Sequence, residues 1–289
     1  MTVSTENVAS GLLPGSGKDR PGRELVVETF FAPVANLLVR VLLPLRLPPP
    51  AVVLANGVAG LLAATALVRG ELVVAALLLQ VKTLLDNADG QLARAAARVN
   101  LVGRYLDTEA DLVVNAALFA AVAGATGAWW LALVAFFALT LVLSAGFNVA
   151  ELHREVHGIG QGRPQAAGGS AERALGLFYG VVFAPQDRLL RRFSSRRLER
   201  LLVHEPDAER KRAATIAYYD RFTVTVLANL GLSTQLVVLG ACLVFGEPRV
   251  YLWFVLACAA ALAVLQLRRE RLARLALTTA PLATPRRAA

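Results

Sequence analysis

Long apolar runs separated by short polar breaks make up most of the chain from residue 48 onwards. A transmembrane helix needs roughly 17–25 mostly apolar residues. Six runs read as spans, at about 51–69, 71–86, 104–124, 126–149, 222–246 and 249–267. Gly70 makes a tight turn between the first two. The second run is short and stops at a pair of aspartates, which puts its end at the membrane edge. Residues 24–47 are also apolar, but Glu24, Glu28, Arg40 and Arg46 interrupt them, as do Pro33 and Pro44. This segment reads as an amphipathic helix lying in the membrane interface, and Pro48-Pro49-Pro50 breaks the chain after it.

The remaining segments are polar. Residues 1–23 are rich in Gly, Ser and Pro and read as a disordered tail without a secretory signal; 278–289 read as a loose basic tail. The long segment 150–221 has parts of its own. Residues 158–170 form a turn region, 174–184 are apolar but too short to span, and 187–212 are densely charged and helical in character. The expected fold is an all-α polytopic membrane protein. It has six transmembrane helices within a membrane domain at 48–277 and an N-terminal interfacial amphipathic helix.

Composition supports this class. Hydrophobic residues are 56% and mean hydropathy is +0.54, against roughly 45–50% apolar in soluble domains. Cys242 and Cys258 both fall in apolar runs and read as small buried hydrophobes. The net charge of +9 does not signal nucleic-acid binding, because the basic residues gather in the segments between spans with few aromatics among them. Arginines concentrate at 86–104, 150–221 and after 267, whereas the connections at 124–127 and 246–249 are short and carry no net charge. With basic loops inside, both termini face the cytoplasm of a cell membrane. Trp129, Trp130, Tyr251 and Trp253 lie near span ends, as interfacial aromatics do.

Chemistry concentrates between the second and third spans. Asp86 and Asp89 are three residues apart and Asp107 and Asp111 four apart, so on helices each pair shares a face. Two neighbouring helices would then aim four carboxylates at one point, where they repel unless something neutralises them. A hard divalent cation, Mg²⁺ or Mn²⁺, suits such oxygens. Pairing with Arg94, Arg98 or Arg104 explains one aspartate more easily than four acids plus Glu109. Intramembrane acids also mark cation transporters, but those distribute acids over several spans near the midplane, and here they gather at one end of two.

Asp86-x2-Asp89-Gly90-x2-Ala93-Arg94-x8-Gly103-x3-Asp107-x3-Asp111 resembles the signature of the CDP-alcohol phosphotransferases, integral membrane enzymes of phospholipid synthesis. All eight signature residues stand at the family's spacing. The resemblance implies a CDP-linked lipid donor, such as CDP-diacylglycerol, and an alcohol acceptor such as glycerol phosphate or inositol phosphate. A non-diacylglycerol CDP-alcohol donor stays open. By position in the motif, Asp86, Asp89, Asp107 and Asp111 would be metal ligands and Asp111 also the general base. Gly90, Ala93 and Arg94 would bind the nucleotide. The family tends to be homodimeric.

Overall fold

The computed structural model describes residues 22–96, 101–159 and 184–279, with isolated positions between 169 and 180. Among the described residues the protein is helical and has no strand. A π-helical turn, Val27–Phe31, leads into α1 (Ala32–Leu42). Next come α2 (Pro49–Val68), α3 (Leu72–Ala95), α4 (Leu101–Thr126) and α5 (Trp129–His157). After these come α6 (Ala184–Leu202), α7 (Ala208–Tyr218), α8 (Arg221–Asn229), α9 (Leu232–Val244) and α10 (Pro248–Thr279). Gly70, Gly127 and Gly246 have φ of +78°, +67° and +73°, the left-handed conformation that glycine adopts without steric cost. They turn α2 into α3, α4 into α5 and α9 into α10 at the end of the bundle away from the acids.

The central helix is α2. Helices α3 and α4 both pack along it, while making little backbone contact with each other. A cleft therefore opens between α3 and α4 with α2 as its floor. Helix α9 covers another side of α3, and α10 packs along α5 and α9. The membrane core is built from small and aliphatic side chains such as Ala63, Leu79, Val122, Leu139, Leu239 and Val255, and small residues let helix backbones approach closely. Leu54, Val58, Leu62, Phe137 and Val264 point outward, as expected where lipid is the solvent.

Five helical stretches among the described residues are long and apolar enough to cross a membrane: Pro49–Val68, Val102–Thr126, Trp129–His157, Ala208–Val244 and Pro248–Thr279. Expectation and structure differ over the span at 71–86. Its helix does not stop at the aspartates but runs on to Ala95, and it carries Lys82, Asp86 and Asp89 in its length. The extension is held by α1. Ala35 and Val39 of α1 pack with Ala88 and Leu92, and the Gln91 amide donates to the Ala32 carbonyl at 3.3 Å. Pro48 is the extended residue before α2, whereas Pro49 and Pro50 form the helix's first turn, where a missing N–H costs nothing.

The expected span at 222–246 is divided. Helix α8 ends at Asn229, Gly231 is extended (φ −66°, ψ 172°), and α9 starts at Leu232. The Gln235 side chain donates to the Leu230 carbonyl at 3.2 Å, meeting one of the backbone groups the break exposes. Tyr251 is a second correction. Trp129, Trp130 and Trp253 are exposed, but Tyr251 is 1% exposed and packs on Phe119 with ring centroids 5.7 Å apart. Gly22 and Arg23, expected in the tail, are docked instead: Asn229 Nδ2 donates to Arg23 O at 2.6 Å, and the Leu25 N–H donates to Asn229 Oδ1 at 2.9 Å. The rest of that tail, the C-terminal tail beyond 279, and most of 158–170 and 174–184 lie outside the described residues.

At the polar end of the bundle α6 and α7 pack against α10, which continues well beyond the expected end of the sixth span. Arg269 ties these helices together. It is 4% exposed and donates to Tyr218 O at 2.9 Å, Ser194 Oγ at 3.1 Å and Gln266 Oε1 at 3.3 Å. Its guanidinium lies over the Tyr218 and Tyr219 rings. Replacing Arg269 with Met strands these acceptors and is expected to cost about 2–4 kcal/mol. Thermal unfolding in detergent micelles checks this, and an unchanged midpoint would contradict it.

Candidate active site

Helical periodicity stacks Lys82, Asp86 and Asp89 on one face of α3, and Asp107 and Asp111 on one face of α4. The α2 floor presents Asn56 and Gly60. Asp86, Asp89 and Asp107 each offer a carboxylate oxygen, and these three oxygens all lie within 4.8 Å of one another. Asn56, fully buried, donates from Nδ2 to Asp86 Oδ1 at 3.3 Å. Asp89 Oδ2 and Asp107 Oδ1 are buried without a hydrogen-bond partner. Three carboxylates this close repel one another, and burial weakens the screening that water would provide. Converging, partly desolvated and unpartnered oxygens fit a hard divalent cation, which favours oxygen ligands and keeps several waters of its own.

Residues 46–185, just under half of the chain, match the family model of the CDP-alcohol phosphatidyltransferases. The matched stretch contains every one of these acids. Over that stretch the chain is similar to the CDP-alcohol phosphatidyltransferases. Neither the curated proteins nor the solved structures yield a match. Enzymes of this family are transferases of substituted phosphate groups, moving a phosphoalcohol group from a CDP-alcohol.

Asp111 stands apart from the other three acids. Its Oδ1 accepts from Lys82 Nζ at 2.7 Å, and Lys82 is fully buried. The pairs climb in step along the two helices: Lys82 with Asp111, then Asp86 with Asp107 one turn towards the polar end. A counter-charge for Asp111 thus comes from Lys82 of α3. Arg104 lies over the Phe147 ring, and Arg98 is outside the described residues. Sequence reasoning passed over Lys82. The signal was there, since an ammonium one helical turn before Asp86 in an apolar run is as costly as an acid.

Gly90 and Arg94 share a face of α3, and the guanidinium folds over the glycine. A Cβ at Gly90 would stand 3.2 Å from Arg94 Nη1. Gly90, Ala93 and Arg94 thus line the same helix as Asp86 and Asp89, on the turn that follows. Glu109 Oε1 is buried without a partner. Asn115, one turn past Asp111, is buried. Asn148 is structural: its Nδ2 donates to Ser144 O and to Asp187 Oδ1, both at 2.9 Å, joining α5 to α6. His153 and His157 stack on each other, with His153 bonded to the Tyr219 carbonyl, so neither joins the acids. Cys258 is buried, and both cysteines are free.

Gly60 decides how closely α2, α3 and α4 meet. A Cβ there would lie 2.4 Å from Val114 Cγ1 and 3.2 Å from Lys82 Cδ. Gly60→Ala must displace a buried valine and the stem of the lysine. It is expected to destabilise by about 1–3 kcal/mol, the usual cost of overpacking. An unchanged thermal midpoint in micelles would contradict the packing described.

Proposed function

We propose that this enzyme transfers a phosphatidyl group from CDP-diacylglycerol to a hydroxyl acceptor, such as glycerol phosphate or inositol phosphate, releasing CMP in phospholipid biosynthesis. The observation that carries the reading is the division of the acids. Asp86, Asp89 and Asp107 converge with unpartnered oxygens, while Asp111 is held one turn away by a lysine.

Asp86, Asp89 and Asp107 would hold Mg²⁺ or Mn²⁺. Bound there, the cation offsets charge on the donor diphosphate and on the departing phosphate. Asn56 orients Asp86 through its amide. Gly90 and Ala93 leave space against α3 for the cytidine, and Arg94 swings from Gly90 to meet a phosphate. Asp111, ionised beside an ammonium, accepts the proton of the acceptor hydroxyl. The hydroxyl oxygen forms a bond to the β-phosphorus, the bond to the bridging oxygen breaks, and CMP departs with that electron pair. A donor whose CDP-linked alcohol is not diacylglycerol would use the same residues. The apolar exterior around the cleft favours a lipid one, whose tails lie in the bilayer while its headgroup reaches the acids.

The distribution of arginines supports an active site facing the cytoplasm of a cell membrane, where CDP-linked donors and Mg²⁺ are available. Similarity to the family supports a homodimer.

Purified protein in nanodiscs, given CDP-diacylglycerol, Mg²⁺ or Mn²⁺ and a panel of alcohols, is expected to release CMP only with an acceptor present. EDTA is expected to abolish release. Asp111→Asn is expected to lower turnover by about 10²–10⁴-fold, the usual contribution of a general base. Lipid product analysis identifies the alcohol transferred. Acceptor-independent release, or full activity in Asp111→Asn, would overturn the reading.

A further inference from the structure

Lys82 is absent from the family signature quoted above, yet it is the residue through which Asp111 differs from the other three acids. Its side chain is fully buried. Its ammonium meets Asp111 Oδ1 at 2.7 Å. Its stem runs past Gly60, where even a methyl group would lie 3.2 Å from Lys82 Cδ. The groove between α2 and α4 therefore admits an unbranched chain aimed at one carboxylate. Asp86 and Asp107 lie one turn further along the same two faces, and the Asn56 amide is directed to Asp86 rather than to Asp111. Without an ammonium at position 82, Asp111 Oδ1 loses this ion pair and is free of it to turn along α4 towards Asp107 as a fourth oxygen donor.

We propose that Lys82 is a positioning residue that holds Asp111 out of the carboxylate cluster, so that three acids take up the cation while the fourth stays free as the base. The proposal rests on the roles assigned under Proposed function. It has a signature that ordinary structural support lacks. Removing the ammonium takes a positive charge away from the cation site and offers it another oxygen. Metal binding should then tighten while turnover falls. A side chain that merely supports the fold would weaken both when removed.

The test compares wild type, Lys82→Met and Lys82→Arg in nanodiscs. One readout is turnover at saturating Mn²⁺. The other is the Mn²⁺ concentration giving half of the metal-induced rise in the thermal midpoint, which needs no activity. For Lys82→Met the expected result is a turnover loss of about 10–100-fold together with a several-fold lower Mn²⁺ midpoint. Lys82→Arg keeps the charge and is expected to restore the wild-type Mn²⁺ midpoint and part of the turnover. An unchanged or weaker Mn²⁺ midpoint in a folded Lys82→Met overturns the proposal, as does unchanged turnover. If Lys82→Met does not fold, Lys82→Gln removes the charge with a polar tip and is judged on the same two readouts. If the wild type releases no CMP with any acceptor, the functional reading fails separately, and the Mn²⁺ titration still decides whether Lys82 opposes metal binding.

Discussion

Repulsion among Asp86, Asp89 and Asp107 is the constraint to which the rest of the structure answers. The carboxylates come from two helices that barely touch, yet their oxygens stand within 4.8 Å of one another. In water the cost would be modest. Between packed helices it is several times larger, and unpartnered oxygens on Asp89 and Asp107 add desolvation that hydrogen bonds do not offset. A fold that tolerates this must hold α3 and α4 from outside, because the acids themselves push the helices apart.

Helix α2 supplies that hold. It packs along both neighbours, approaches them closely at Gly60, and uses its buried Asn56 to steady Asp86. Helix α1 braces the polar end of α3 through Ala35 and Val39 against Ala88 and Leu92, which keeps the chain helical beyond the acids. At the same end, Arg269 joins α6, α7 and α10. Asp220 accepts from Arg268 at 2.9 Å and caps α8 through the Thr223 N–H. These polar contacts lie outside the apolar core, leaving the cleft between α3 and α4 as the place where charged groups enter the bundle.

The acids and the helices that carry them were legible in sequence, because carboxylate spacing at helical periods and long apolar runs are local patterns. Other features depended on contacts between distant residues. The continuation of α3 to Ala95 follows from α1 packing on it, which hydropathy does not report. The break at Leu230–Gly231 is flanked by Asn229, Ser233, Thr234 and Gln235, but the apolar residues on either side made the whole stretch read as one span. Tyr251 looked interfacial by its position near a span end, but Phe119 of another helix buries it. Lys82 was passed over because the acids were weighed against arginines alone. Its meaning emerges once Asp111, 29 residues away, is seen as its partner.

A structure determined from crystals soaked in Mn²⁺ tests the central claim most directly, because anomalous scattering locates the ion independently of activity. The expected result is a single strong peak or a close pair between α3 and α4, with oxygens of Asp86, Asp89 and Asp107 at about 2.0–2.3 Å and Asp111 still on Lys82. A peak placed elsewhere, or none between these helices at saturating Mn²⁺, would contradict the reading of the three acids as a metal site.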